Sequence, residues 1–146
     1  MQAIYGSHGD SPRIVLAPKD VEDCFHIAQE ACRIAKEYSV PVFVLTDQAL
    51  ATRIEAFDEP DLDGLVVEPV LDQEPRGEEF KPYPLDGRTR HAPPGTVMEA
   101  GTYPVVTGLE HDEWGHPSGN PELHQRMVER RREKVIDFGQ TVPAPE

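Results

Sequence analysis

The chain has 146 residues, a formal net charge of −13 and a hydrophobic share of 38%. That charge speaks against nucleic acid, because phosphate binding needs clustered Lys and Arg, and the one basic cluster, Arg126 to Lys134, is interleaved with Glu129 and Glu133 and reads as a solvated helix face. Fifteen prolines, concentrated after Glu59, leave only part of the chain for a compact core. No run is long or apolar enough for a membrane span and no signal peptide is visible, so a cytoplasmic protein without membrane contact is expected.

In chain order, Met1 to Asp10 begins abruptly and contains Gly6 and Gly9 around Ser7-His8. This loop precedes the first strand, and His8 and Asp10 are the candidate ligand-proximal residues within it. A turn whose glycines merely supply positive φ is the plainer alternative. Arg13 to Ala17, between Pro12 and Pro18, is an Ile/Val-rich run that suits a strand buried on both faces. A helix follows, with apolar residues at Val21, Cys24, Phe25, Ala28, Ala31, Cys32, Ala35 and Tyr38 on one face. Asp20 can cap it, Glu22 and Asp23 suit its positive end, and Pro41 disfavours a helical Val40, so it should stop near Ser39. On this reading Phe25 is the weightiest side chain of the buried face, and Cys24 and Cys32 are core residues too far apart along the helix to bridge.

Val42 to Leu45 reads as a second buried strand. Strand, helix and strand of this length make a βαβ unit with parallel strands and a right-handed crossover. Ligands in open parallel sheets sit beyond the carboxyl ends of the strands, which points to Ala17-Pro18-Lys19 and Thr46-Asp47-Gln48. One such unit cannot cover both faces of its own sheet, so it is expected to be a piece of a larger domain or subunit.

Gln48 to Phe57 is ambiguous, with an extended second half suggested by the alternation of Thr52, Ile54 and Ala56 with Arg53 and Glu55. From Asp58 to Pro121 helical signals disappear among prolines and glycines, and the stretch reads as an arm with short strands around Gly64 to Val70 and Tyr103 to Thr107. Within it, His111-Asp112-Glu113-Trp114-Gly115-His116 is the densest group of possible metal ligands or acid–base residues. A metal site needs three or four convergent ligands with an ordered surround. The segment is expected instead to be a hydrogen-bonded turn, without metal, in which Trp114 is a buried anchor. Asn120, Pro121 and Glu122 then start a last helix with a stripe of Leu123, Met127, Val128, Val135 and Phe138, ending at Gly139 before a TVPAPE linker.

Taken together, QAIYGSHGDSPRIVLAP, DVEDCFHIAQEACRIAKEYSVPVFVLTDQALATRIEAF, GRTRHAPPGT, TGLEHDEWGHPSGNPELH and RMVERRREK occur in an order that resembles the alpha subunit of 2-oxoacid:ferredoxin oxidoreductases, particularly the 2-oxoglutarate type. The resemblance spans essentially the whole chain and rests on the order and spacing of these segments together. It implies an α/β fold: a partial thiamine-diphosphate-binding fold with a parallel βαβ unit, a long Pro/Gly-rich arm and a C-terminal helix. The implied division is 1–57 as the C-terminal part of a pyrimidine-binding domain, 58–120 as an irregular arm or insertion, and 121–146 as helix and linker.

The resemblance also implies oxidative decarboxylation of a 2-oxoacid to an acyl-CoA, with thiamine diphosphate carrying the chemistry and protein groups holding it. Magnesium and a [4Fe–4S] cluster are implied in the assembled enzyme, together with a beta subunit, ferredoxin and coenzyme A as partners. The family's YPITP segment, its pyrimidine-activating glutamate and its QRxGPSTGxPT segment are not found in this sequence. The chain is therefore expected to be an internal fragment that is inactive alone, with no catalytic residue assigned and no metal of its own. A non-enzymatic subunit-interaction piece is the competing reading, and a small hydrolase using His111, Asp112, Glu113 and His116 is a third.

Overall fold

A computed structural model describes residues 1–62, 80–92 and 105–142. The chain divides into two compact units, Met1–Pro69 and Val70–Glu146.

In the first unit, α1 (Gln2–Tyr5) leads to β1 (Ile14–Leu16), then α2 (Val21–Tyr38), β2 (Val42–Val44) and α3 (Gln48–Thr52). β1 and β2 are parallel, with Ile14 opposite Val42, Val15 opposite Phe43 and Leu16 opposite Val44. The expected βαβ unit is present, with strands shorter than the apolar runs that announce them. Asp20 starts α2 by accepting a hydrogen bond from the Asp23 amide at 2.8 Å, and the Asp23 carboxylate in turn accepts from the Lys19 amide at 2.9 Å. One of the helix's otherwise unmet N–H groups and the amide just before its cap are thus met locally, by acids that the helix dipole also favours. At the other end Ser39 takes a left-handed conformation, φ 49°, and breaks the helix before Pro41.

The core of this unit is Ile14, Ile34, Tyr38 and Val40. This corrects the expected helix face. Ile34 has no exposed surface at all, Ile27 and Ala31 are half-buried with it, whereas Ala28 and Cys32 are exposed and Phe25 is only half-buried. The inward line is Cys24, Ile27, Ala31, Ile34 and Tyr38, spaced by three and four residues. Phe25 lies to its side, edge-on to the His26 ring at 5.5 Å. Cys32 is thus not a core residue; both cysteines are free thiols.

β2 departs from expectation as well. Val42 is half-buried, but Phe43, Val44 and Leu45 are 40%, 42% and 47% exposed. α2 packs on β2, and a two-stranded sheet among the described residues has nothing of its own to lay over the other face. Arg13 partly shields Phe43, with its guanidinium 5.2 Å from the ring centre. After β2, Asp47 caps α3 by accepting from the Leu50 amide at 2.7 Å, so the first half of the ambiguous 48–57 stretch is helical. Its second half is irregular, and Ile54 is 99% exposed.

The second unit is organised on α4 (Pro121–Thr141), begun by the Asn120 side chain accepting from the Leu123 amide at 2.9 Å. The helix runs through Gly139, where a stop was expected. A glycine inside a helix costs about 1 kcal/mol relative to alanine, which a 21-residue helix tolerates. Of the strands expected around Gly64 to Val70 and Tyr103 to Thr107, the first lies outside the described residues, as do 103 and 104 of the second; 105–107 are irregular. Residues 143–146 of the expected linker also lie outside the described residues.

Candidate functional site

In the first unit the carboxyl ends of β1 and β2 lead into the starts of α2 and α3. A cleft of about 410 Å³ opens beside the first of these starts, lined by Asp20, Glu22, Glu55, Ala56, Phe57 and Asp58. Four of its six lining residues are acidic and none is basic, so its field favours cations and opposes phosphate. Asp20 has one oxygen committed to capping, and Glu22 belongs to the first turn of α2.

His8 and Asp10 lie elsewhere. Gly6 closes α1, its amide donating to the Gln2 carbonyl at 2.7 Å, and the chain then bends through Ser7 to Asp10 with Gly9 at φ 75°. Both His8 and Asp10 are exposed, at the amino end of β1, and neither lines the acidic cleft. The sequence gives no hint of α1, a helix of four residues without a side-chain cap.

The second unit holds a denser polar cluster. Three segments are knotted together: 80–92, the turn at 110–118, and α4. Glu113 ties the first two, accepting from Lys81 Nζ at 3.0 Å and from the Leu85 amide at 3.1 Å, while its own carbonyl accepts from the Tyr83 amide. Within the turn, Asp112 Oδ1 accepts from the Trp114 and His116 amides, both at 2.9 Å, and His111 pairs with Pro117 as an antiparallel bridge. His111 Nδ1 lies 2.7 Å from the Asp112 carbonyl and its ring packs against Tyr83. The His111–His116 segment is thus a hydrogen-bonded turn whose acids serve backbone amides and Lys81. Trp114 differs from expectation: it is 40% exposed, and its ring is faced by the Lys81 ammonium at 4.6 Å rather than by a carboxylate.

The solvated face expected for Arg126 to Lys134 is corrected by the structure. Arg130 and Lys134 are 5% and 7% exposed, in line with buried Met127. Arg130 donates to the Pro84 carbonyl and to Thr89 Oγ1, fixing the 80–92 segment on the helix. Burial lowers the Arg130 guanidinium's affinity for its proton, and the Arg131 charge adds to that. Burial likewise pulls Lys134 down to about 8, helped by the charges of Arg130 and Arg131. Arg131 reaches Glu110 with both terminal nitrogens, at 3.1 and 3.3 Å, and His124 Nδ1 contacts the same carboxylate. Burial would raise Glu110, but the hydrogen bonds from Arg131 and His124 outweigh it and hold the carboxyl below the usual range. The signal for Arg130 and Lys134 was present in the sequence as the i, i+3, i+7 spacing from Met127, masked by their charge.

Lys134 gives a signed prediction. Its folded pKa is below its unfolded one, so between about pH 8 and about 10.5 the unfolded chain holds more protons and stability rises with pH; below pH 8 the full penalty is present, and above the window it is gone. Lys134→Met is expected to stabilise the second unit by about 2 kcal/mol at pH 7, with the gain shrinking as pH rises through that window. Thermal unfolding of both chains at pH 7 and pH 10 checks this. A loss of stability at pH 7 contradicts it.

Comparison with known proteins fits this framework. A family described as pyruvate flavodoxin/ferredoxin oxidoreductase, thiamine diphosphate-binding, matches residues 1–130. The chain is 38% identical over 144 residues to the 2-oxoglutarate synthase subunit KorA of Methanothermobacter thermautotrophicus, covering 93% of this chain and 35% of that protein. It is 38% identical over 143 residues to the 2-oxoglutarate oxidoreductase subunit KorA of Mycobacterium tuberculosis, covering 92% of this chain and 21% of that protein. A solved structure of 2-oxoglutarate:ferredoxin oxidoreductase from Magnetococcus marinus, with 2-oxoglutarate, coenzyme A and succinyl-CoA bound, matches with a TM-score of 0.80 at 30% identity, over 98% of this chain and 25% of that one. The chain spans about a third or less of the length of these relatives. With a parallel βαβ unit in the first unit and a long capped helix in the second, and with a family match running from the first residue into α4, the chain belongs to the thiamine-diphosphate-binding family of pyruvate flavodoxin/ferredoxin oxidoreductases.

Proposed function

We propose that the chain is part of the alpha subunit of a thiamine-diphosphate-dependent 2-oxoacid:ferredoxin oxidoreductase that converts 2-oxoglutarate to an acyl-CoA. The observation that carries this reading is the structural likeness, over nearly the whole chain, to an oxidoreductase with 2-oxoglutarate and coenzyme A bound. The relatives named for 2-oxoglutarate support the same substrate, and their description as subunits supports other subunits as partners. On this reading a beta subunit, magnesium, a [4Fe–4S] cluster and ferredoxin belong to the assembly.

The residues lining the cleft beside the start of α2 do not fit the diphosphate end of the cofactor. The cleft at the carboxyl edge carries Asp20, Glu22, Glu55 and Asp58, whose charges oppose a second anion. No chemical step is assigned to these residues, and the chain by itself is inactive on this reading. His8 and Asp10 act in the assembled enzyme by approaching the distal end of the 2-oxoacid.

The test is the assembled enzyme, isolated through a tag on this chain and supplied with 2-oxoglutarate, coenzyme A and oxidised ferredoxin. Ferredoxin reduction that depends on both substrates, with succinyl-CoA formed, is the expected result. Acetyl-CoA from pyruvate without succinyl-CoA would reassign the substrate, and absence of both products would remove the proposal. In the same assembly His8→Ala is expected to raise KM for 2-oxoglutarate more than it lowers kcat, since a group that binds ground and transition states alike affects KM alone. Unchanged kinetics would return the loop to a plain turn.

A further inference from the structure

The Glu110 carboxylate is held to α4 from two sides. Arg131 grips it with a two-nitrogen fork, and His124, two helical turns earlier, contacts the Oε2 oxygen through Nδ1. The backbone of Glu110 also closes the turn, since its carbonyl accepts from the Ser118 amide at 3.0 Å. The helix start is tied to the same place: the Asn120 amide donates to Ser118 Oγ at 3.3 Å and the His124 amide donates to the Asn120 carbonyl at 3.0 Å. The grip on Glu110 therefore bears on whether the far end of the turn stays closed.

We propose that His124 and Glu110 form a proton-sensitive latch that holds the 110–118 turn closed against the first turns of α4. Imidazoles as a class change charge between about pH 5 and 8. A cationic ring adds a second positive partner to a carboxylate that Arg131 alone does not saturate; a neutral ring leaves a weaker, uncharged hydrogen bond. The other titratable groups nearby have different commitments. Asp112 gives one oxygen to the Trp114 and His116 amides, and His116 Nδ1 lies 3.6 Å from its other oxygen. His111 meets the Asp112 carbonyl and Tyr83, Glu113 serves Lys81 and Leu85, and Arg131 stays charged throughout. The His124 side chain is 57% exposed, so solvent screens the pair and the effect is modest.

Hydrogen exchange of the full chain tests the latch. After correction for intrinsic exchange, amides of 110–118 are expected to be about threefold better protected at pH 6 than at pH 8, the scale of a surface ion pair. Central α4 amides should show no such ratio. His124→Gln should bring protection at pH 6 down to the pH 8 level, and His124→Lys, a cation at both pH values, should keep it high at both. His116→Gln should leave the ratio intact. Equal protection of the unaltered chain at the two pH values, persistence of the ratio in His124→Gln, or its loss in His116→Gln alone would each overturn the proposal.

Discussion

Ile34→Ala is expected to destabilise the first unit by about 3–4 kcal/mol, and Phe25→Ala by less than half as much. Ile34 has no exposed surface, and Ile14, Tyr38 and Val40 are the other buried apolar residues among those described in that unit. Removing three of its carbons leaves a cavity as well as the lost transfer energy, and a short two-stranded sheet offers little to collapse into it. Phe25 is the larger side chain but is only half-buried, so much of its ring is wet before and after unfolding. Denaturant unfolding followed by exchange of amides in α2 separates the two variants. Equal losses, or a larger one at Phe25, would mean that the helix turns a different face to the sheet.

The ordering of these two residues marks where sequence reading succeeded and where it stopped. The starts of α2 and α4 were legible because a cap is a local event: Asp20 and Asn120 each serve an amide three residues ahead, whatever surrounds them. The parallel pairing of β1 and β2 was legible because a helix of that length leaves no other compact connection. The inward line of α2 was not, since the apolar residues between Val21 and Tyr38 form a face broad enough for more than one inward line, and only the position of β2 chooses Ile34 over Phe25. The exposure of Phe43 and Val44 follows from the same cause: their residue types ask for a covering layer that the two strands and one helix do not provide.

The polar cluster of the second unit was half legible. The turn character of the 111–116 segment follows from its own acids and glycine, which bond within a few residues. Burial of Arg130 and Lys134 is a tertiary outcome. It depends on the 80–92 segment crossing the helix and offering the Pro84 carbonyl and Thr89, residues some forty positions away in sequence. Charge marks solvent exposure only on average, and a long guanidinium stem with fixed acceptors can be covered.

Gly115→Ala is expected to cost roughly 3 kcal/mol or more in the second unit and to open the turn. Gly115 is buried and sits at φ 88°, where a side chain is disfavoured by about 1–2 kcal/mol even in open space. Here the space is closed. An added Cβ would run into the Val105 carbonyl oxygen, which is backbone, and would also press on the Tyr83 ring at 3.1 Å. Tyr83 is itself tied in place: its amide is bonded to the Glu113 carbonyl and its ring packs on His111. The Gly115 amide itself closes the turn on the Asp112 carbonyl at 3.0 Å, so a shift there disturbs the hydrogen bonds that Asp112 makes to Trp114 and His116. By contrast Gly9→Ala, at φ 75° with nothing near its added carbon, should cost only the backbone term. The comparison therefore isolates steric closure from conformational preference. It is read from unfolding midpoints of the two variants and from the emission of Trp114, the single tryptophan, which should report the opened turn in Gly115→Ala and stay unchanged in Gly9→Ala. Similar losses in both variants would show that the turn at 110–118 is looser than its packing around Gly115 implies.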